Sequence, residues 1–521
     1  MPFLLRNLTV EPGTDEGSLP RLVAGKIGVS HTQISSFRIV RKGVDARKKG
    51  RVKLVYTLEF SLPSGTRMRR IDDLSETEVP EPPLFPRIDR DSGAVIVGMG
   101  PAGLFAALRL AEYGLTARIV ERGAPVEERT RHVARFWSTG ELNPQSNVQF
   151  GEGGAGAFSD GKLTTRVKDP NCAYVLEKLV RFGAPAEILY AAKPHVGTDR
   201  LAAVVSGIRE HLIAKGFRIS FNSTMTAIQT SGGGISGVVL NDSTEEACGA
   251  LVLAPGHSAR DTYAMLSREG VQMEQKPFAV GVRVEHPQEL INAIQYGRNH
   301  HPALPAAEYA LAYNSPTGRS AYSFCMCPGG VVVASSSEEG GVVTNGMSKY
   351  LRNAPNANSA LVASVGPRDF GGDSPLAGVE FQRLLEREAF RAGGGGYRAP
   401  AQSLLAFIGE GKGSLSSSYR PGVTESDLSA LLPPAVSETL REGIRYFDGK
   451  MRGFICADAT LTGVETRTSA PLRIVRGDDL QSVSHRGLYP TGEGAGYAGG
   501  IMSAALDGIR VADAIAAALR G

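Results

Sequence analysis

A short apolar strand, Ala94 to Val97, runs directly into Gly98-Met-Gly100-Pro-Ala-Gly103, and the apolar stretch Ala102 to Tyr113 follows with helical periodicity. This strand, glycine turn and helix constrain the chain more than any other feature. In G-x-G-x-x-G the first glycine makes the tight turn, the second lets backbone approach a pyrophosphate, and the third lets helix and strand pack closely. The helix then aims its free amides and the positive end of its dipole at the phosphates. A second strand, Thr116 to Glu121, completes a βαβ unit. Glu121 lies 18 residues beyond Gly103, where a carboxylate can accept hydrogen bonds from both hydroxyls of an adenosine ribose. An acid there disfavours NADP and leaves NAD and FAD.

The rest of the chain decides between those two. Gly492-Glu-Gly-Ala-Gly-Tyr-Ala-Gly-Gly500-Ile501 follows the strand Gly487 to Pro490 and opens a last helix, Ser503 to Leu519. Leu251-Val-Leu-Ala254-Pro-Gly256 is a strand running into a turn, and Gly151-Glu-Gly153-Gly154-Ala155-Gly156 with Phe158-Ser-Asp-Gly-Lys162 is too glycine-rich for an ordinary core element. Glycines let backbone lie flat against a ring system, although a surface loop is the alternative reading. Glycine makes up 63 of the 521 residues, well above the usual ~7%, and it gathers beside these strand-like runs.

These three elements, with Val148 to Arg166, Ser323 to Gly330 and Gly492 to Ile501 as the most specific stretches, resemble a bacterial family of FAD-dependent dehydrogenases (NAD/FAD-utilising) within the glutathione reductase-like and p-hydroxybenzoate hydroxylase-like flavoproteins. The resemblance covers nearly the whole chain. It implies bound FAD, held by Gly98, Gly100, Pro101, Ala102, Gly103, Glu121, Arg122, Gly151, Gly153, Gly154, Ala155, Gly156, Lys162, Ala254, Gly256, Gly492, Glu493, Gly499, Gly500 and Ile501. It implies a redox reaction and supplies no substrate. Glu493 stands where Asp is commoner in the wider superfamily. Lys162 would stand near the flavin N1/O2 edge or hold a phosphate.

Length alone points to roughly three domains. The expected fold class is α/β: a discontinuous FAD-binding Rossmann-like domain of ββα type over 94–275 and 456–521, and an inserted mixed-sheet substrate domain over 276–455. A Pro-rich linker over 77–93 and a small α+β, ferredoxin-like domain over 1–76 precede them. Within residues 1–70, fourteen Lys/Arg face five Asp/Glu, while the whole chain carries only +4. The basic run Arg38 to Arg51 fits an RNA or other polyanionic partner, or a face docked on the acidic remainder.

Catalytic candidates are Cys325, Cys327, Lys162 and Arg473. Cys325-Met-Cys327 puts two thiols on one strand face, facing flavin or substrate or simply packed. Arg467 and Arg473 flank Ser469-Ala-Pro471 and read as anion anchors or ion pairs. Arg283 and His286 read as an anion site or as surface partners of Glu285. His257 reads as a proton shuttle or a turn cap. His300-His301 lacks a third ligand, so no metal is expected. No second G-x-G-x-x-G follows a strand, so electrons would come from a small-molecule substrate, transiently bound NAD(P)H or a redox partner protein. Five cysteines, an odd and sparse set, fit a reducing compartment. With no signal peptide and no apolar run of the ~20 residues a bilayer requires, a cytoplasmic enzyme is expected.

Overall fold

A computed structural model describes residues 1–78 and 84–520. Residues 79–83 of the expected Pro-rich linker lie outside the described residues.

The N-terminal unit is one antiparallel sheet, ordered Ser35–Asp45, Lys53–Ser61, Pro2–Val10, Leu74–Glu76, with the helix Leu19–Ile27 across one face. Lys53–Ser61 alternates as a half-buried strand must, and Leu54, Tyr56, Leu58 and Phe60 point into the core with Leu5, Leu19 and Val23. The strand order is that of a ferredoxin-like unit. The second crossover helix of such a unit is absent, and a loop over 62–73 replaces it. The unit docks through its edge strand: Lys42 N donates to Tyr190 O at 2.7 Å, and Ala192 N donates to Lys42 O at 2.7 Å. The basic loop is pinned as well, with Gly50 N donating to Tyr296 O at 2.8 Å.

The second unit is built on a five-stranded sheet ordered Leu488–Pro490, Ala250–Leu253, Ala94–Val97, Arg118–Val120, Arg218–Ser220, parallel throughout. Parallel strands are covered on both faces, so they read as unbroken apolar runs. Ala94 and Ile96 face the helices Pro101–Glu112 and Ile501–Arg520, while Val95 and Val97 face an antiparallel sheet over Met225–Ala247. The ends of all five strands and the starts of both helices therefore converge on one edge.

The third unit is a mixed sheet of eight strands. Ser320–Ala334, Asn356–Val365, Phe278–Pro287, Thr460–Glu465 and Ala399–Ser403 form its middle in that order. The helices Ala377–Ala392 and Pro434–Lys450 contribute to its apolar core. This corrects the expected boundary at 455. Thr460–Glu465 is fully buried and pairs with Phe278–Pro287 on one side and Ala399–Ser403 on the other. Its partners are remote in sequence, so local pattern gave no sign that this strand belongs to the inserted sheet.

Candidate functional site

The converging edge opens into a cavity of about 350 Å³ between the parallel sheet and the large mixed sheet, within the usual size of ligand pockets. One end is glycine backbone. Gly98 has φ +99° and passes so close to Ala254 O that any side chain would collide with it. A methyl at Gly103 would collide with Gly98 O, which is the close helix–strand packing expected of a third glycine. A Cβ on Gly154 would lie 3.0 Å from Gly100 Cα, so two glycine backbones are stacked here. The helix Pro101–Glu112 has Gly100 as its N-cap, with no side chain satisfying its first amides. The helix Ile501–Arg520 begins at the same rim, where Gly499 and Gly500 have open space in place of a side chain, as does Gly256.

Glu121 is buried and joins these segments. Its carboxylate accepts from Met99 N at 2.8 Å and from Gly123 N and Gly151 N at 2.9 Å each. An ionised carboxylate has about four acceptor positions. Three are committed to backbone, leaving one for a ribose hydroxyl where two were expected.

Of the residues expected to hold a cofactor, Gly98, Gly100, Pro101, Ala102, Glu121, Arg122, Gly151, Gly154, Ala155, Gly156, Lys162, Ala254, Gly256, Glu493, Gly499, Gly500 and Ile501 line the cavity. Gly103, Gly153 and Gly492 do not. Gly153 packs on Val205 and Ala157, and Gly492 packs on Ala102 while its amide donates to Asp507 at 2.7 Å. Arg122 stacks on Phe150, 4.3 Å from the ring centroid, and pairs with Asp261 at 2.9 Å.

The far end of the cavity is polar. Phe324, Cys325, Asn345, Glu465, Arg467, Thr468 and Glu493 line it. Burial raises the Glu493 carboxyl to about 7, partly offset by Lys276. Asp160 is fully buried. Burial pushes its carboxyl up, but Arg352, with Nε at 2.9 Å, prevails and holds it below the usual range. Lys162 Nζ donates to Met326 O.

Some sequence candidates are placed otherwise than expected, and others fit one of the alternatives left open. Cys327 is buried behind the wall and only Cys325 reaches the cavity. Arg473 lies away from it, paired with Glu274 at 3.2 Å. Arg283 is no surface residue: it is fully buried and bidentate to Glu465 at 2.9 and 3.0 Å. His286 is buried with Nε2 2.8 Å from Phe454 O, and Glu285 instead accepts from Ser417 and Ser418. Arg467 does line the cavity, yet it forms a buried ion pair with Glu386, which also holds Arg260. His257 sits on the wall with Nδ1 2.9 Å from Ser258 Oγ; burial, with Arg467 and Arg260, lowers it to about 3, so it is a neutral imidazole. His300 lies near Glu289 and Gly297 O, and no metal-binding group of side chains occurs among the described residues. Sequence reasoning missed Glu465, Glu386 and Asn345, single acidic or amide residues in unremarkable runs, and gave no role to Asp160 within the glycine-rich run Phe158 to Lys162. Only their partners in space give them meaning.

Comparison with known proteins bears on this site. The chain is 50% identical over 526 residues to an uncharacterized protein of Clostridium beijerinckii (strain ATCC 51743 / NCIMB 8052), across 99% of this chain and 98% of the other. The chain belongs to that protein's family. Residues 277–468 match the family model described as "FAD-dependent protein, C-terminal domain-like", and residues 4–61 match a domain of unknown function, DUF8436. FAD is the cofactor, and the open glycine cradle with two helix N-termini suits its pyrophosphate. Among solved structures the chain has distant likeness to three enzymes. A flavin-dependent brominase is 14% identical over 82% of this chain and 79% of the other, with a TM-score of 0.38. Glycerol-3-phosphate dehydrogenase from Bacillus halodurans complexed with FAD is 11% identical over 83% and 66%, TM-score 0.36. L-amino acid deaminase from Proteus myxofaciens is 13% identical over 83% and 91%, TM-score 0.34.

Proposed function

We propose that the chain is an FAD-dependent oxidoreductase that acts on a small-molecule substrate at the polar end of the cavity. The observation that carries this reading is the single cavity running from a glycine cradle at two helix N-termini to a wall of buried charged groups. FAD, when bound, supplies a hydride-transferring N5 atom. In this reading Gly100, Gly154 and the first amides of Pro101–Glu112 hold the pyrophosphate, and Glu121 positions the adenosine ribose. The Ile501–Arg520 helix presents its positive end to the ring, which stabilises negative charge there. The mixed sheet closes the opposite side and excludes water.

The parallel sheet described above is the only all-parallel sheet among the described residues. This supports a donor that arrives as substrate, as transiently bound NAD(P)H, or on a redox partner protein. No helix among the described residues is long and apolar enough to cross a membrane, and we place the enzyme in the cytoplasm. The test is anaerobic spectroscopy of the purified protein. A yellow chromophore released as FAD, bleached by dithionite and by at least one member of a panel of NADH, NADPH, amino acids and hydroxy acids, is expected. A protein that neither retains nor takes up FAD overturns the reading. Reduction by dithionite alone would point to a flavin-binding protein without turnover.

A further inference from the structure

Cys325 and Cys327 share a strand but not an environment. Regular pleating would put residues two apart on one face. Here the strand Ser320–Ala334 loses register with Asn356–Val365 between Phe324 and Cys327, and Cys325 has φ +45°, which side-chain-bearing residues seldom adopt. The irregularity turns Cys325 into the cavity wall and leaves Cys327 buried, its Sγ 3.3 Å from Cys325 O.

The charged groups around Cys325 come from four elements. From Phe278–Pro287, Arg283 donates to Cys325 O at 3.3 Å, to Asn358 Oδ1 at 2.8 Å and to both oxygens of Glu465. Gly346 leaves the space that this guanidinium occupies. Lys162 reaches the next residue's carbonyl from the glycine loop. Glu465 is neutralised by Arg283, and Glu493 faces the site from the turn before the last helix. Hydrogen bonding from Cys327, then the charges of Arg283 and Lys162, lower the Cys325 thiol to about 6 against the opposing effect of burial. Cys327 is pushed well above the ordinary thiol range, by its bond to Cys325 and by burial.

We propose that Cys325 is the nucleophile of this cavity, a thiolate that attacks soft electrophiles such as a disulfide sulfur, and that Cys327 is a positioning residue closed off behind it. With a small disulfide, the Cys325 sulfur bonds to one sulfur, the S–S bond breaks, and the other half leaves as thiolate. With iodoacetamide the same sulfur displaces iodide and forms a thioether. Neither step needs a further oxidant or reductant. The proposal rests on the cavity being the FAD site, and the two fail separately: a protein without flavin refutes that reading, whereas a yellow protein with an ordinary Cys325 refutes this one.

The test is iodoacetamide labelling of the FAD-loaded full chain from about pH 5 to about pH 9, resolved by peptide mass spectrometry, with absorption spectra taken alongside. At neutral pH Cys325 is expected to label about 5-fold or more faster than Cys172 or Cys456, because its larger thiolate fraction outweighs the lower nucleophilicity of a low-pKa thiol. Its rate should level off near pH 7, where an ordinary thiol still accelerates. Cys327→Ala and Lys162→Met should each keep the label on Cys325 and move its midpoint upward, whereas a merely structural role would leave the midpoint unchanged. A flavin that covers the thiol would slow labelling at every pH, and a long-wavelength thiolate-to-flavin band, lost in Cys325→Ser and on acidification, would then carry the same result. A Cys325 rate still climbing through pH 9, label on Cys327 instead, or absence of both fast labelling and the band would overturn the proposal.

Discussion

At the scale of single residues, the site depends on a few buried carboxylates with different tasks. Glu121 accepts from three backbone amides and so fixes three glycine segments at once. Glu121→Gln turns one acceptor oxygen into a donor facing donors, a cost of about 1–3 kcal/mol. Urea unfolding should show that loss, and FAD retention should fall with it; unchanged stability would separate Glu121 from the loops. Glu493 acts in the opposite sense. Its folded value of about 7 lies above the ordinary 4.5, so between those values the unfolded chain releases its proton first. Its contribution to stability is therefore present below about pH 4.5 and lost as pH rises through about 7. Glu493→Gln should gain melting temperature on the flavin-free wild type across that window, with the gap growing toward pH 7; a constant gap would refute the assignment. Gly98 and Gly100 were legible in the sequence because a tight turn and a close backbone approach each demand glycine at one spacing, whereas the three backbone amides that Glu121 accepts from were not. Arg283 and Glu465 were not, because a salt bridge between residues 182 apart leaves no local pattern.

At the scale of elements, the cradle is two helices held at a fixed separation. Gly508 on Ile501–Arg520 packs against the backbone of Pro101–Glu112, and a side chain there would collide with Ala102 O. Gly508→Val should push the two helices apart, cost roughly 1–3 kcal/mol or more by overpacking, and lower FAD retention under the placement proposed above. Thermal melting and the FAD content of the purified variant check this, and full retention of both would mean that the helix separation is not set at Gly508. The long apolar helices and the alternating strand Lys53–Ser61 were readable from periodicity. The strand Thr460–Glu465 was not, since six buried residues follow no alternation and its neighbours in the sheet are distant along the chain.

At the scale of the molecule, the basic N-terminal unit is part of the assembled chain. Arg38, Lys42 and Arg47 pair with Glu59, Glu16 and Asp45, and the edge strand is stitched to residues 190–192. Fluorescence anisotropy with single-stranded RNA at low salt should therefore show no saturable binding; saturation that weakens steeply with salt would restore a nucleic-acid partner. The charge excess of residues 1–70 was plain in the sequence, but charge counts carry no information on which face docks.

The central sheet places Ala94–Val97 beside Ala250–Leu253, which in turn lies beside Leu488–Pro490. During synthesis the glycine turn at Gly98 emerges long before the helix Ile501–Arg520, which packs beside Pro101–Glu112. At translation speeds of about 5–20 residues per second, the interval is on the order of 20–80 s. Over that time a nascent chain exposes one half of a nucleotide cradle with its apolar strand edge unpaired. On the proposed placement of FAD, cofactor capture is therefore a late event in the life of each molecule, and a ribosome stalled before residue 488 holds a polypeptide that lacks half of the cradle.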